Sequence, residues 1–274
     1  MKVLVTGAKG MLGQDLCPIL EDAGCFVVET DIDNLDITDE KQVSAAIAAI
    51  RPDVVIHTAA YTNVDKAEED LDTALKINYN GTANVAKACA DNDCLLVYIS
   101  TDYVFDGTGD KPYLPDDKVS PVNNYGLSKL KGEEAVQKYC KKYYITRTSW
   151  LYGHHGKNFV ETMLSLAEKP ELKVVDDQVG CPTWTVELSN SILKIIGEQK
   201  DYGIYHVCGS GKTSWYGFAK EIFNQAGLAV NLKPCSTDEF PRPAKRPKYS
   251  VMENGKICRD WKLALKDYMA LRLE

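Results

Sequence analysis

Several features are missing from this sequence, and each absence narrows what the chain can be. No apolar run approaches the ~18 residues that a bilayer-spanning helix requires. The opening "MKVLVTGAKG" turns to glycine after one short strand-like run, too early for the apolar core of a signal peptide. There is no Cys-x-x-Cys, and the 9 cysteines, an odd number scattered from Cys17 to Cys258, do not form a disulfide framework. Cys17, Cys25, Cys89 and Cys208 fall inside apolar segments, where buried reduced thiols belong. Histidines number only 4, and the adjacent pair His154 and His155 lacks a carboxylate or cysteine at ligand spacing, so no metal is expected there. Basic residues are outnumbered 32 to 39, for a net charge of −7, which argues against nucleic acid or an anionic membrane as partner. No internal repeat or low-complexity tract is present. A soluble cytoplasmic protein is expected.

What is present is a chain of 274 residues, 45% of them hydrophobic, enough for one large α/β domain or two unequal ones. "KVLVTG" (2–7), "CFVVETD" (25–31), "DVVIHTAA" (53–60), "CLLVYIST" (94–101) and "YYITRTSWLYG" (143–153) read as buried parallel strands, because their Val, Ile and Leu are too continuous for half-exposed ones. Helical spacing fills the gaps between them, as in "DTALKINYNGTANVAKACADN" and "YGLSKLKGEEAVQKYCKK". This alternation implies an α/β fold: a doubly wound parallel sheet, Rossmann-like and dinucleotide-binding, with a smaller α+β substrate domain. "LKVVDDQ" (172–178) reads as one more strand of the sheet and "TWTVELSNSILKIIGEQ" (183–199) as a helix returning to it, whereas "GIYHVCGSG" belongs to the smaller part. The expected division is 1–150 with about 172–199 for the dinucleotide, and about 151–171 with 200–274 for the substrate. The site of such a fold lies at the carboxyl ends of the strands.

"VTGAKGMLG" places Gly7, Gly10 and Gly13 directly after the first strand and at the start of the first helix. Gly7 permits a tight turn, Gly10 lets backbone approach a pyrophosphate, and Gly13 allows close helix–sheet packing, while helix N-terminal amides at Met11 and Leu12 meet the anion. Asp31 ends the second strand, where a carboxylate bonds ribose hydroxyls and disfavours a 2′-phosphate; Lys9 could offset it by pairing with one. NADH and NADPH therefore both remain open. Asp36 and Ile37 fall where an adenine pocket would form. A second glycine–lysine stretch, "GSGKTSW" (209–215), lacks the first glycine of a phosphate loop, because that position is His206. A turn followed by a helix cap at Thr213 or Ser214 explains it better.

"YISTDYVFDG" and "NNYGLSKLKGE" hold the chemistry. Tyr125 and Lys129 stand four apart, so on a helix they share a face about 6 Å apart. A nearby ammonium would lower the phenol's pKa and make Tyr125 a proton donor, and Lys129 could also reach the nicotinamide ribose. Thr101 leaves the sheet at its carboxyl end, where its hydroxyl could hold a carbonyl oxygen.

With the glycine turn, the strand-end Thr101, the Tyr125/Lys129 pair and "NYNGT", the chain resembles the extended short-chain dehydrogenase/reductases. "RPDVVIHTAAYTNVDKAE", "STDYVFDGTGDKPY", "SPVNNYGLSKLKGE", "RTSWLYG", "DQVGCPT" and "RPAKRP" bring it nearest to the dTDP-4-dehydrorhamnose reductase family, over residues 1 to about 250. The resemblance implies that NADPH or NADH reduces the C4 carbonyl of dTDP-4-dehydro-L-rhamnose to give a polysaccharide precursor. It implies Thr101, Tyr125 and Lys129 as catalytic, and coenzyme contacts at Gly7, Lys9, Gly10, Met11, Leu12 and Gly13. Further coenzyme contacts would come from Asp31, Asp36, Ile37, Ala59, Ala60, Tyr61, Asn78, Tyr125 and Lys129. Substrate contacts would involve Thr101, Tyr103, Tyr125, Trp150 and Asn158, with Arg246 at the diphosphate. Some relatives hold a dimer-contact metal near the places of Asp15 and Glu187, but none is expected here; a monomer or homodimer fits. Sugar-nucleotide 4,6-dehydratases carry a Glu where Tyr103 stands, so elimination lacks its base. A 4-epimerase and a non-catalytic regulatory subunit stay open as alternatives.

Overall fold

Val3, Leu4 and Val5 are all fully buried, although consecutive strand residues point to opposite faces. The sheet they belong to must therefore be covered on both sides. The computed structural model describes residues 1–272. Its first half runs β1 (Lys2–Thr6), α1 (Met11–Asp22), β2 (Phe26–Thr30), α2 (Glu40–Ile50) and β3 (Val54–His57). Two short helices, α3 (Lys66–Glu69) and α4 (Leu71–Leu75), lead through a π-helical turn at Lys76–Gly81 into α5 (Thr82–Asp91). Then come β4 (Leu95–Thr101), α6 (Asn124–Tyr139) and β5 (Tyr143–Thr148). The second half holds β6 (Leu151–Tyr152), α7 (Phe159–Ser165), β7 (Leu172–Val175), β8 (Val179–Gly180) and β9 (Thr183–Trp184). It continues with α8 (Thr185–Gly197), β10 (Gly203–His206), β11 (Thr213–Ser214), α9 (Trp215–Gln225), β12 (Leu232–Cys235) and α10 (Trp261–Leu271).

Six strands form one parallel sheet in the order β10-β5-β4-β3-β1-β2. The chain leaves β1 for β2 on one side and returns to β3 on the other, so a crevice opens at the carboxyl ends of β1 and β3. Leu12, Leu16 and Leu20 of α1 and Leu188, Ile192 and Ile195 of α8 cover one face. Val43 and Ile47 of α2, Val85 of α5 and Val136 of α6 cover the other. A separate core around Tyr152, Val160, Trp184, Phe218, Trp261, Leu265 and Tyr268 builds the second part.

Three expectations need correction. "LKVVDDQ" is not in the main sheet: β7 pairs with β12 outside it, while "GIYH", expected in the smaller part, is the strand β10 beside β5. Both are short apolar runs, and α8 returns the chain to the sheet only after β7 has been left behind. "YYITRTSWLYG" is two strands, because Trp150 takes a left-handed φ of 47° between β5 and β6, and β6 pairs with β9. The long helix expected from Asp72 to Asn92 is present, running from α4 through the π turn around Asn78 into α5 without a break. "GSGKTSW" does end in a helix cap, with Ser214 Oγ accepting from Gly217 N at 2.9 Å. Among the described residues no helix is long and apolar enough to cross a membrane.

Candidate active site

Gly7 has a φ of 72°, and a Cβ there would lie 2.6 Å from the amide of Ala59. Only glycine lets β1 turn this tightly against the loop after β3. Gly13 packs helix on strand as expected, with Ala8 Cα 2.6 Å from where a Cβ would sit. Gly10 caps α1 without a side-chain hydrogen bond, so amides of its first turn remain for an anion. Around this turn opens a cavity of about 810 Å³, lined at one end by Asp31, Leu35, Asp36 and Ile37 and at the other by Tyr103, Trp150 and Trp215. Gly7, Lys9, Gly10, Met11, Leu12, Ala59, Ala60, Thr101, Tyr125 and Lys129 line the stretch between. The expected glycine turn, strand tip and helix thus meet in one cleft.

Helix α6 is capped by Asn123, whose Oδ1 accepts from Gly126 N at 2.7 Å. A Cβ on Gly126 would strike the Tyr103 carbonyl, and one on Gly132 the Tyr98 hydroxyl, so two glycines press the face that carries Lys129 against β4. Asn78, in the π turn, accepts from Tyr61 N at 2.8 Å and donates to Tyr61 O at 3.0 Å and to Ser128 Oγ at 2.9 Å. Ser128 Oγ in turn donates to the Tyr125 carbonyl at 2.7 Å. Asn78 and Tyr61 therefore do not line the cavity as expected; Asn78 ties the Ala59–Tyr61 loop to the start of α6.

Burial pushes the Tyr125 phenol up to about 12; a hydrogen bond from Thr101 opposes this and the charge of Asp102 adds to it. The expected lowering by Lys129 is thus corrected. Burial drives Lys129 itself down to about 7, against the pull of Glu133. Its ammonium lies 4.2 Å from the centre of the Tyr98 ring. Asp102 is a residue the sequence reading passed over: burial raises its carboxyl to about 7 against hydrogen bonds from Ser250 and Thr101. Thr101 Oγ1 donates to Asp102 Oδ1 at 3.0 Å and accepts from Tyr103 N at 3.2 Å. Asp102 directly follows Thr101 in "STD", and its burial was the signal that sequence alone lacks.

Trp150 lines the cavity and also packs against the second core, stacked on Trp215 with ring centres 3.6 Å apart. Trp215, the first residue of α9, had no sequence signal. Tyr103 stands edge-on to Tyr125 at 5.9 Å. The other residues expected at the site lie elsewhere or have partners of their own. Asn158 caps α7, accepting from Glu161 N at 3.1 Å and donating to Gly153 O at 2.7 Å, and does not line the cavity. Arg246 also lies off its wall; its Nη1 donates to Asp65 Oδ1 at 2.5 Å. Asp31 Oδ2 accepts from Lys9 N at 2.9 Å, and Lys9 Nζ pairs with Asp33 at 2.6 Å in the open. Asp15 accepts from the Thr185 hydroxyl, and Glu187 is held by Arg259 Nε at 2.7 Å.

The cavity fits a dinucleotide: a turn no side chain could enter, unsatisfied helix amides and a carboxylate at the end of β2 follow in the order that pyrophosphate and ribose require. Fold and site together define a nicotinamide-dependent reductase of the extended short-chain dehydrogenase/reductase class. The family model described as the RmlD substrate binding domain matches residues 1–271, and the chain belongs to that family. Spore coat polysaccharide biosynthesis protein SpsK of Bacillus subtilis is 43% identical, over 99% of this chain and 98% of its own. The crystal structure of a dTDP-4-dehydrorhamnose reductase from Clostridium acetobutylicum is 48% identical, covers 100% of both chains and superposes with a TM-score of 0.97. That of the Bacillus anthracis dTDP-4-dehydrorhamnose reductase, in complex with NADP, is 42% identical, with a TM-score of 0.95 over 98% of this chain and 99% of that one.

Proposed function

We propose that this chain reduces the C4 ketone of dTDP-4-dehydro-L-rhamnose with NAD(P)H to give dTDP-L-rhamnose, a precursor of cell-surface polysaccharide. The observation that carries this reading is the convergence of Thr101, Tyr125 and Lys129 on the cavity that begins at the glycine turn. The relatives named as dTDP-4-dehydrorhamnose reductases, matched over nearly the whole chain, support the substrate. In this reading the coenzyme side comprises residues 1–150 with α8 and β10, and the sugar-nucleotide side comprises α7, α9, α10 and the short paired strands.

When bound, the reduced nicotinamide supplies a hydride. Gly7, Gly10 and the first amides of α1 hold the pyrophosphate, and Asp31 meets the adenosine ribose. Lys9 stands next to Asp31, so a 2′-phosphate would find a cation that can leave Asp33. Thr101 orients the ketone oxygen beside Tyr125. A phenol held near 12 stays protonated at neutral pH, the form a reduction needs, and gives its proton to the oxygen as negative charge develops there. Lys129, when charged, stabilises the phenolate left behind. Trp150, backed by Trp215, offers the sugar a flat apolar face.

The test is a coupled assay in which the ketosugar is made enzymatically and coenzyme absorbance is followed. Stoichiometric NAD(P)H loss is expected, which an epimerase that retains its coenzyme would not produce. Tyr125→Phe should cut turnover on the order of 10²–10⁴-fold while dinucleotide affinity is kept. Undiminished turnover in that variant would remove Tyr125 as proton donor.

A further inference from the structure

Lys129 is only 3% exposed, on the wall of the cavity, and among the described residues its ammonium makes no salt bridge or side-chain hydrogen bond. The groups facing it come from three elements. Tyr125 and Glu133 lie on its own helix, Tyr98 on β4 and His57 on β3. Glu133 commits both carboxylate oxygens to Arg147, at 2.9 and 2.7 Å. His57 is kept neutral by burial, and the charge of Lys129 pushes the same way. That leaves the ring of Tyr98, whose centre is 4.2 Å from Lys129 Nζ.

Tyr98 is fully buried and fixed on every side. Its hydroxyl donates to the Lys129 carbonyl at 3.3 Å, in space that Gly132 leaves open. The ring stacks on His57 with centres 5.8 Å apart and planes at 29°. His57 is itself held by Thr6 Oγ1 at 2.7 Å and Thr82 Oγ1 at 3.1 Å. An ammonium over an aromatic face gains most where water is excluded, because no solvent competes for the charge.

We propose that Tyr98 is a positioning residue for Lys129: its ring face holds the lysine as an ammonium where no carboxylate partner does, and its hydroxyl pins the turn that carries it. This rests on the reading of Lys129 given above. A tyrosine that merely filled the core would affect stability alone.

The experiment titrates Lys129 directly, by NMR on protein carrying ¹³Cε-lysine, with the signal assigned by its loss in Lys129→Arg. Tyr98→Phe keeps the face and should titrate close to the parent. Tyr98→Leu keeps apolar bulk and loses the face, and its midpoint should fall by about one pH unit, a tenfold loss of ammonium at a given pH. The high-pH limb of kcat, where activity is lost as Lys129 deprotonates, should move down by the same amount. Should the Leu variant fail to fold, pentafluorophenylalanine at position 98 keeps the ring shape, reverses its electrostatic face and should give the same downward shift. A midpoint unchanged in the Leu or fluorinated protein overturns the proposal. Full turnover in Lys129→Met would instead overturn the role of Lys129 and leave the titration result standing.

Discussion

Glu133 and Arg147 meet beneath the cavity, and Asp65 meets Arg242 and Arg246 at its rim. Both are carboxylate–guanidinium clusters, but the water around them differs. The lower pair is 2% and 3% exposed, joined by two hydrogen bonds. Ser100 Oγ donates to Glu133 at 2.5 Å, Arg147 Nη1 donates to Pro115 O at 3.0 Å, and the guanidinium lies 5.1 Å from the centre of the Phe105 ring. The donors there join β4, α6 and β5, and one ties in the loop that holds Pro115. At the rim Asp65 is 18%, Arg246 15% and Arg242 51% exposed. Burial opposes the Asp65 charge, but hydrogen bonds from Arg246, Arg242 and the Ala244 amide outweigh it and hold the carboxyl at about 2. A dry pair of this kind cannot be loosened without stranding a charge, whereas a wet one can exchange a partner for a ligand. The lower cluster therefore holds the frame of the site, and the upper one keeps partners that water already reaches.

The sharpest break of this contrast is Glu133→Gln. It leaves the Arg147 guanidinium buried without its counter-charge, and a loss of about 3–5 kcal/mol is expected in urea unfolding. Asp65→Asn, at the wet end, should cost about 2 kcal/mol, the counterpart of a carboxyl held at about 2. Equal losses from the two would erase the distinction between frame and rim.

Acid sharpens the same contrast through histidines. Burial, with the charge of Arg147 adding to it, holds His206 at about 4, and its ring stands edge-on to Phe105 at 5.7 Å. Burial holds His57 at about 3. Both folded values lie below the unfolded value of 6.5, so the unfolded chain takes up protons first as pH falls. The stability these groups contribute is complete above 6.5 and is lost on acidification toward 4, by about 1.4 kcal/mol per pH unit for each histidine. Asp65, held at about 2, contributes a loss only below the usual carboxylate range. Unfolding free energies at pH 7.5, 6 and 5 should show the early slope, and His206→Gln should flatten it. Asp102, raised to about 7, gains stability over the same window and offsets one histidine, so the net loss expected is about 1.4 kcal/mol per pH unit. A constant stability would mean that the two histidines are not both held neutral by burial.

How much of this was legible in the sequence follows from how local each feature is. The glycine turn and the Tyr125–Lys129 spacing are set within single turns, and Thr101 ends a strand whose apolar run announces it. Those parts emerged as expected. Tyr98 reads as one more apolar strand residue, and only the packing of α6 through Gly132 shows that it lies under Lys129. Trp215 reaches Trp150 from a helix in the second part. Asp65 and Arg246 are 181 positions apart, so no local pattern could show that an arginine expected at a diphosphate is already shared with a carboxylate. β7 and β10 could not be told apart because strand identity in a parallel sheet depends on where the connecting helix returns. The fold class was thus open to local reading, and the electrostatics of the site were not.

The smallest effect, and the one that separates rim from frame by function, is expected from Arg246→Gln. Arg246 gives one donor to Asp65 and another to the Ala244 carbonyl at 2.6 Å, and its charge acts on Tyr103, which lines the cavity. In the reading proposed above its other donors meet a diphosphate, and one charge-assisted hydrogen bond partly screened by water is worth about tenfold in affinity. The KM for the sugar nucleotide should rise about tenfold, with kcat and the KM for coenzyme little changed and stability within about 1 kcal/mol of the parent. Added salt should narrow the difference, because the parent alone has a charge to screen. An unchanged KM would leave the rim cluster as a strap that fastens residues 241–248 to the loop after β3. The contrast with the buried pair would then be one of strength alone.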